Sequence, residues 1–360
     1  MPALDGLRAV AILLVIAIHV AIVAWPNIPY LWSTRLIGGF GHGVQLFFVV
    51  SAFTLALRFR PGAPELKKYA IRRFARIAPA FWLAAAAYGL LSALGVSYFG
   101  AGSPEAPDWL VTLVFANAWV ARAHGGLVPG GWSISCEVAF YCVLPVCMWL
   151  INGRVWRALA LASLCIIAAQ IRAREAILAG LLDGAFVYNP IEQLPVFLLG
   201  VAAAVAVRRY EVPRLPGATL VFLTLAIVVV PLHVISDWYL LRHIQFGFAA
   251  ALAVVWAAFQ PPPWLVQSLL RTIGQVSFSM YLVHWVLLYP SLKIAQLVVG
   301  EGNAGTTAIT MVVCSVASYA FSLLTYRLIE QPAIEWATGR TRSGSVLLRP
   351  GTIELGTARS

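Results

Sequence analysis

Three side chains able to take or give a proton stand inside long apolar runs of this sequence: His19, Glu137 and His284. A charged group at bilayer depth costs roughly 2.5–3.5 kcal/mol on insertion scales, so each such residue needs a partner, a cavity or a chemical task. An imidazole can serve there as a general base, and a nearby carboxylate can orient it or stabilise its protonated form. A second set is cationic. Arg73 and Arg76 are three residues apart on one helical face of RRFARIAPAFW, just after Lys67, Lys68 and Arg72, and Arg8 stands near the N-terminus. Guanidinium groups chelate phosphate oxygens well. The plainer use of such residues is to anchor a loop to anionic headgroups.

These residues must be positioned by membrane helices. The 360-residue chain is 61% hydrophobic and 11% charged, whereas a soluble domain has about a quarter of its residues charged. Apolar runs recur near 8–25, 42–58, 77–96, 132–151, 155–170, 191–207, 218–234, 244–259, 276–292 and 306–329. At about 1.5 Å per residue, runs of this length suit a hydrocarbon core about 30 Å thick. The period-2 alternation of a barrel is missing, so the spans are read as helices. The expected fold is an all-α membrane protein of about ten transmembrane helices with both termini cytoplasmic. The apolar stretch at 109–120 is too short to span and is read as a re-entrant or interfacial helix on the outer face.

The formal net charge of +11 invites a nucleic-acid partner, but its layout excludes one. With ten spans, nineteen of the 25 Lys and Arg residues fall on the cytoplasmic side, leaving Arg35, Arg122, Arg172, Arg174, Arg242 and Lys293 outside. That is the positive-inside bias, and the charge orients the protein in the bilayer. The first apolar run continues to Trp25 without a small-residue cleavage site and reads as a retained span. Five cysteines, an odd number without CxxC, read as buried free thiols. One domain is expected over 1–336, with a polar, disordered cytoplasmic tail over 337–360. GFGHGVQLFF lacks the Lys-Ser/Thr of a phosphate-cradling loop, and His233 with Asp237 matches no catalytic pattern.

Depth brings the ionisable groups together. His19 lies eleven residues past Arg8, on nearly the same helix face and about 16 Å deeper. Glu137 lies about 8 Å below the outer boundary, and His284 about 14 Å in from the inner one. One polar cavity shared by all three is expected. Ser133 shares a face with Glu137, as Ser277 and Tyr281 do with His284. With Trp132 and Gln45 they are candidate cavity-lining residues. Such stripes also serve simply as helix-to-helix hydrogen bonds.

Several segments resemble the acyltransferase 3 family of polytopic membrane acyltransferases, which move acyl groups, often acetyl, onto cell-surface sugars and other exported molecules. They are LDGLRAVAILLVIAIH (4–19), GVQLFFVVSAF (43–53), RRFARIAP (72–79), WSISCEVAFYCVLP (132–145), FLLG (197–200), SFSMYLVHW (277–285) and YRLIEQP (326–332). Arg8 and His19 fall on the family's Arg-x10-His pattern, whose histidine is the one assigned to catalysis. Arg73 and Arg76 fall on its RxxR pattern, associated with acyl-coenzyme A, and Glu137 on the glutamate of its WSxSxE segment. Gln45 stands where an aspartate is common, Ala52 where a glycine is, and Cys136 also departs from many members. The chain resembles the stand-alone members without a fused extracellular hydrolase-like domain.

The resemblance implies an enzyme of the bacterial inner membrane that takes acyl-coenzyme A, often acetyl-coenzyme A, as co-substrate. No permanently bound cofactor and no metal is expected. The acceptor would be a carbohydrate or other hydroxyl compound. His19 would act as general base, Glu137 would orient it or stabilise its protonated form, and Arg8, Arg73 and Arg76 would hold the donor. A covalent acyl-histidine or acyl-Cys136 route stays open, as does a different class of function, a transporter or flippase for a sugar or lipid.

Overall fold

The computed structural model describes residues 1–24, 41–96, 98, 104–120, 123, 126–178, 186–210 and 242–339, and these contain helices and turns but no strand. The helices are α1 (Pro2–Ala24), α2 (Gly43–Arg58), α3 (Ala63–Ala93), α4 (Ala106–Leu113), α5 (Gly131–Ile151), α6 (Val155–Leu178), α7 (Pro190–Arg209), α8 (Arg242–Phe259), α9 (Ser268–Gln275), α10 (Ser277–Val299), α11 (Ala304–Thr325) and α12 (Gln331–Thr338). Eight helical segments are long and apolar enough to cross a membrane, and α2 is apolar but shorter. The expected span at 218–234 lies outside the described residues, as does the tail from 340.

Two boundaries differ from those read in the sequence. The stretch at 109–120 breaks into α4, eight residues long, and a 3-10 turn at Asn117–Trp119. Eight residues rise only about 12 Å, so this segment does not span. Helix α3 begins at Ala63, well before the apolar run, with a proline in its first turn. Its Lys, Arg and Ala residues are good helix formers, so the basic stretch continues the transmembrane helix instead of leading into it as a loop.

Helix α7 is the most enclosed of the long helices, with 78% of its apolar stretch buried, and it packs on α2, α6 and α8. Gly200 permits the approach to α2, since a Cβ there would stand 2.6 Å from the Val49 carbonyl oxygen. Small residues let helices close up in lipid, where no hydrophobic force drives one helix onto another. Helix α1 packs against α2, α9, α10 and α11, and α10 pairs with α11 across the turn at 300–303. Trp149, Trp156, Leu297 and Val298 are exposed on the bundle surface, an apolar face that suits lipid.

Candidate active site

A cavity of about 1290 Å³ opens among α1, α2, α3, α5 and α10. Eight basic side chains and three carboxylates line it, so its walls carry a net positive charge. At the mouth, Arg8 donates to Asp5 Oδ1 at 2.7 Å and to Thr54 Oγ1 at 3.3 Å. Asp5 is held in place by close backbone packing, because a Cβ on Gly274 of α9 would overlap the Asp5 carbonyl. On α3, Arg76 Nη1 donates to Glu330 Oε2 at 2.9 Å, and the Arg73 guanidinium lies 5.8 Å from the centre of the Tyr141 ring. Arg8, Arg73 and Arg76 thus line one cavity.

Glu137 also lines this cavity, on α5. Its Oε1 accepts from Ser51 Oγ at 2.6 Å and from the Tyr141 hydroxyl at 2.5 Å. These two hydroxyls make the half-buried carboxylate tolerable. Tyr141 is one turn along from Glu137 on the same helix face.

The histidines form a pair of their own. His19 Nδ1 lies 3.1 Å from His284 Nε2, and the two ring centres are 5.2 Å apart. His284 Nδ1 is 3.1 Å from the Met280 carbonyl, which can only accept, so this nitrogen carries the hydrogen. In a neutral ring His284 Nε2 then bears the lone pair, and His19 Nδ1 is the donor. The lone pair of a neutral His19 is therefore on Nε2. Trp285 packs against the His19 ring with centres 4.1 Å apart.

Two expectations change accordingly. Among the described residues Glu137 meets Ser51 of α2 and Tyr141 of α5 and not His19, and it is the His284 ring that lies against the His19 ring. The single shared cavity is not seen among the described residues, since Glu137 lines the basic cavity and neither histidine does. Tyr281 stands between that cavity and His284. It lines the cavity, and its ring centre is 5.8 Å from that of His284. Its hydroxyl donates to the Gly130 carbonyl at 3.0 Å and accepts from Ser133 at 2.9 Å. Gly130, with φ +75°, leaves the space that the hydroxyl occupies.

The other candidates divide. Ser133 and Ser277 line the cavity, with Ser277 donating to the Gly274 carbonyl at 2.8 Å. Trp132 is packed edge-on to Phe48 and against Tyr188 and does not line it. Gln45 is buried away from it and donates to Gln193 Oε1 at 3.1 Å. It belongs to a second polar cluster with His42, while Arg172 pairs with Glu192 at 3.1 Å. A polar partner on α7 lets α2 bury the amide, where the sequence alone suggested a cavity wall.

A family described as an acyltransferase domain matches residues 1–327 of this chain. The chain belongs to this acyltransferase family. The acyltransferase is 27% identical over 384 residues to acyltransferase MdmB of Streptomyces mycarofaciens, covering 98% of this chain and 96% of that protein. It is 28% identical over 380 residues to BcsY of Komagataeibacter xylinus, a protein that carries the name of a membrane-bound transacylase, covering 96% of this chain and 87% of that protein. No solved structure matches it. An acyl donor and an acceptor therefore meet in a helical membrane bundle.

Sequence reasoning missed four groups of this acyltransferase: Asp5, Ser51, Tyr141 and Glu330. Tyr141 and Asp5 had a usable signal, each standing one helical turn from a residue already singled out. Ser51 and Glu330 stand inside segments that carry the family resemblance, but nothing local names their partners, which lie 86 and 254 residues away in sequence.

Proposed function

We propose that this acyltransferase moves an acetyl group from acetyl-coenzyme A to a hydroxyl of a surface or exported carbohydrate at a bacterial inner membrane, with His19 as general base. The observation that carries the reading is a cation-lined cavity that ends one aromatic ring away from an imidazole pair with a fixed tautomer. Acyl-coenzyme A is a polyphosphorylated donor with a long flexible arm. Its phosphates suit the basic side chains, and its arm suits a cavity of about 1290 Å³.

In this reading the thioester passes the Ser133–Tyr281 pair to meet His19. His19 Nε2 takes the proton from the acceptor hydroxyl as the oxygen attacks the thioester carbonyl. The C–S bond breaks, and the coenzyme A thiolate leaves with the proton held by His19. His284 stabilises the imidazolium by accepting from His19 Nδ1 throughout. The relatives' names support acyl transfer, and the carbohydrate acceptor rests on the family resemblance.

The test is transfer itself. Membranes holding the wild-type protein, given acetyl-coenzyme A labelled in the acetyl group, are expected to deposit label on surface glycan. Membranes holding His19→Ala at equal abundance are expected to deposit none. Label transferred equally by both would remove His19 as the base; label on neither would remove this donor and acceptor.

A further inference from the structure

Arg73 and Arg76 are three residues apart on α3 and face the same cavity, yet their charges are answered differently. Arg76 donates to Glu330 Oε2 at 2.9 Å, and the Glu330 side chain has 0% exposure. The other carboxylate oxygen of Glu330 accepts from Ser279. Glu330 closes a single π-helical turn, Tyr326–Glu330, which links α11 to α12. Such a turn inserts an extra residue and re-aims the side chains after it. Sealed from water, this carboxylate depends on Arg76 for its countercharge. Removing one member of a buried pair is strongly destabilising, whereas replacing both by apolar groups is often neutral.

Arg73 is in the opposite position. Among the described residues no carboxylate pairs with it, and its contact is the face of the Tyr141 ring. Its Nε is buried without a hydrogen-bond partner. A guanidinium in that state, beside a cavity with excess positive charge, has donor capacity for an anionic ligand.

Resting on the acyl-coenzyme A reading above, we propose that the two arginines divide the work. Arg73 is the ligand of the donor's phosphates. Arg76, with Glu330 and Ser279, is a positioning brace that ties α3 and the π turn to α10, five residues before His284. Arg76 is thus spent on the fold and not on the donor, although both arginines match the same RxxR pattern.

Binding of acetyl-coenzyme A to the detergent-purified full chain tests this. Arg73→Met should accumulate normally and bind acetyl-coenzyme A roughly tenfold to a hundredfold more weakly. Arg76→Met alone should lose thermal stability and accumulation. Arg76→Met combined with Glu330→Met should regain both and bind acetyl-coenzyme A within about threefold of wild type. A folded double variant with Arg73-like loss of affinity overturns the division, as does an Arg73→Met protein of undiminished affinity.

A second measurement needs no variant. Phenylglyoxal modification of the wild-type protein, read by mass spectrometry, should label Arg73 and lose that label when coenzyme A is present. Arg76 should stay unlabelled in both conditions. Coenzyme A protection of Arg76 overturns the proposal. Wild-type protein that binds no acetyl-coenzyme A at all overturns the donor reading beneath it, a result separate from any difference between the two arginines.

Discussion

His19 of α1 and His284 of α10 share one hydrogen bond of 3.1 Å across 265 residues of sequence, and the Met280 carbonyl fixes its direction. The relationship sets a hierarchy between the two rings. In the proposed mechanism His19 takes the substrate proton, and His284 sets the tautomer that lets it do so. His19→Ala is expected to lower acyl transfer by about 10²–10⁴-fold at normal abundance. His284→Ala is expected to lower kcat by less and to leave the KM for acetyl-coenzyme A unchanged. Steady-state transfer of labelled acetyl groups by membranes of matched protein content checks both, and a fully active His284→Ala protein would show that the pair is only structural.

The Glu137 carboxylate depends on two hydroxyls, so its substitutions should rank by their ability to accept. Tyr141→Phe deletes a hydrogen bond to a charged group, a loss of about 1.5–3 kcal/mol. Glu137→Gln keeps an accepting oxygen for Ser51 and Tyr141 and should cost less stability than Glu137→Ala. Thermal unfolding of the detergent-purified variants gives the order, and equal losses for Gln and Ala would remove the hydrogen bonds as the reason for this carboxylate.

Close backbone packing at Gly274 places Asp5, and through it Arg8. Gly274→Ala forces α9 away from the first turn of α1 and should cost about 1–3 kcal/mol as overpacking. It should also weaken use of acetyl-coenzyme A, because Arg8 loses its orientation. Membrane yield together with the KM for the donor measures the two effects, and wild-type values for both would refute this packing.

Cys136 is 1% exposed, and its Sγ donates to the Tyr188 carbonyl at 3.3 Å. It is absent from the lining of the basic cavity and its S–H is engaged by a backbone carbonyl, so it is poorly placed as a nucleophile. Cys136→Ala should therefore retain acyl transfer, measured as acetyl label moved by membranes of matched protein content. Acyl label found on Cys136 during turnover would reverse this and restore the covalent route.

Much of the helix plan is legible in the sequence because membrane spans are a length and polarity problem, solved locally. The runs at 132–151 and 191–207 reappear as α5 and α7 within a few residues. The run at 77–96 is less well placed, since the basic residues before it form helix as readily as the apolar ones. The proposed site is legible in its members more than in its pairings. Expense marks His19, Glu137 and His284, because an ionisable group in lipid is conspicuous wherever it stands. Partnership leaves no such mark. His19 and Glu137 share a depth but not a contact, and helical rise gives depth alone.

What the sequence by itself determined is therefore the class of molecule, from composition and run length, the family, from its resemblance over seven segments, and a short roster of candidate residues, from local spacing and that same resemblance. What only the tertiary structure decided is who meets whom: His284 beside His19, Ser51 and Tyr141 on Glu137, Glu330 on Arg76, and Tyr281 between the basic cavity and the histidines. The physical reason is that a helix fixes which side chains share its own face, while the rotation and register of one helix against another are set by packing across the whole bundle.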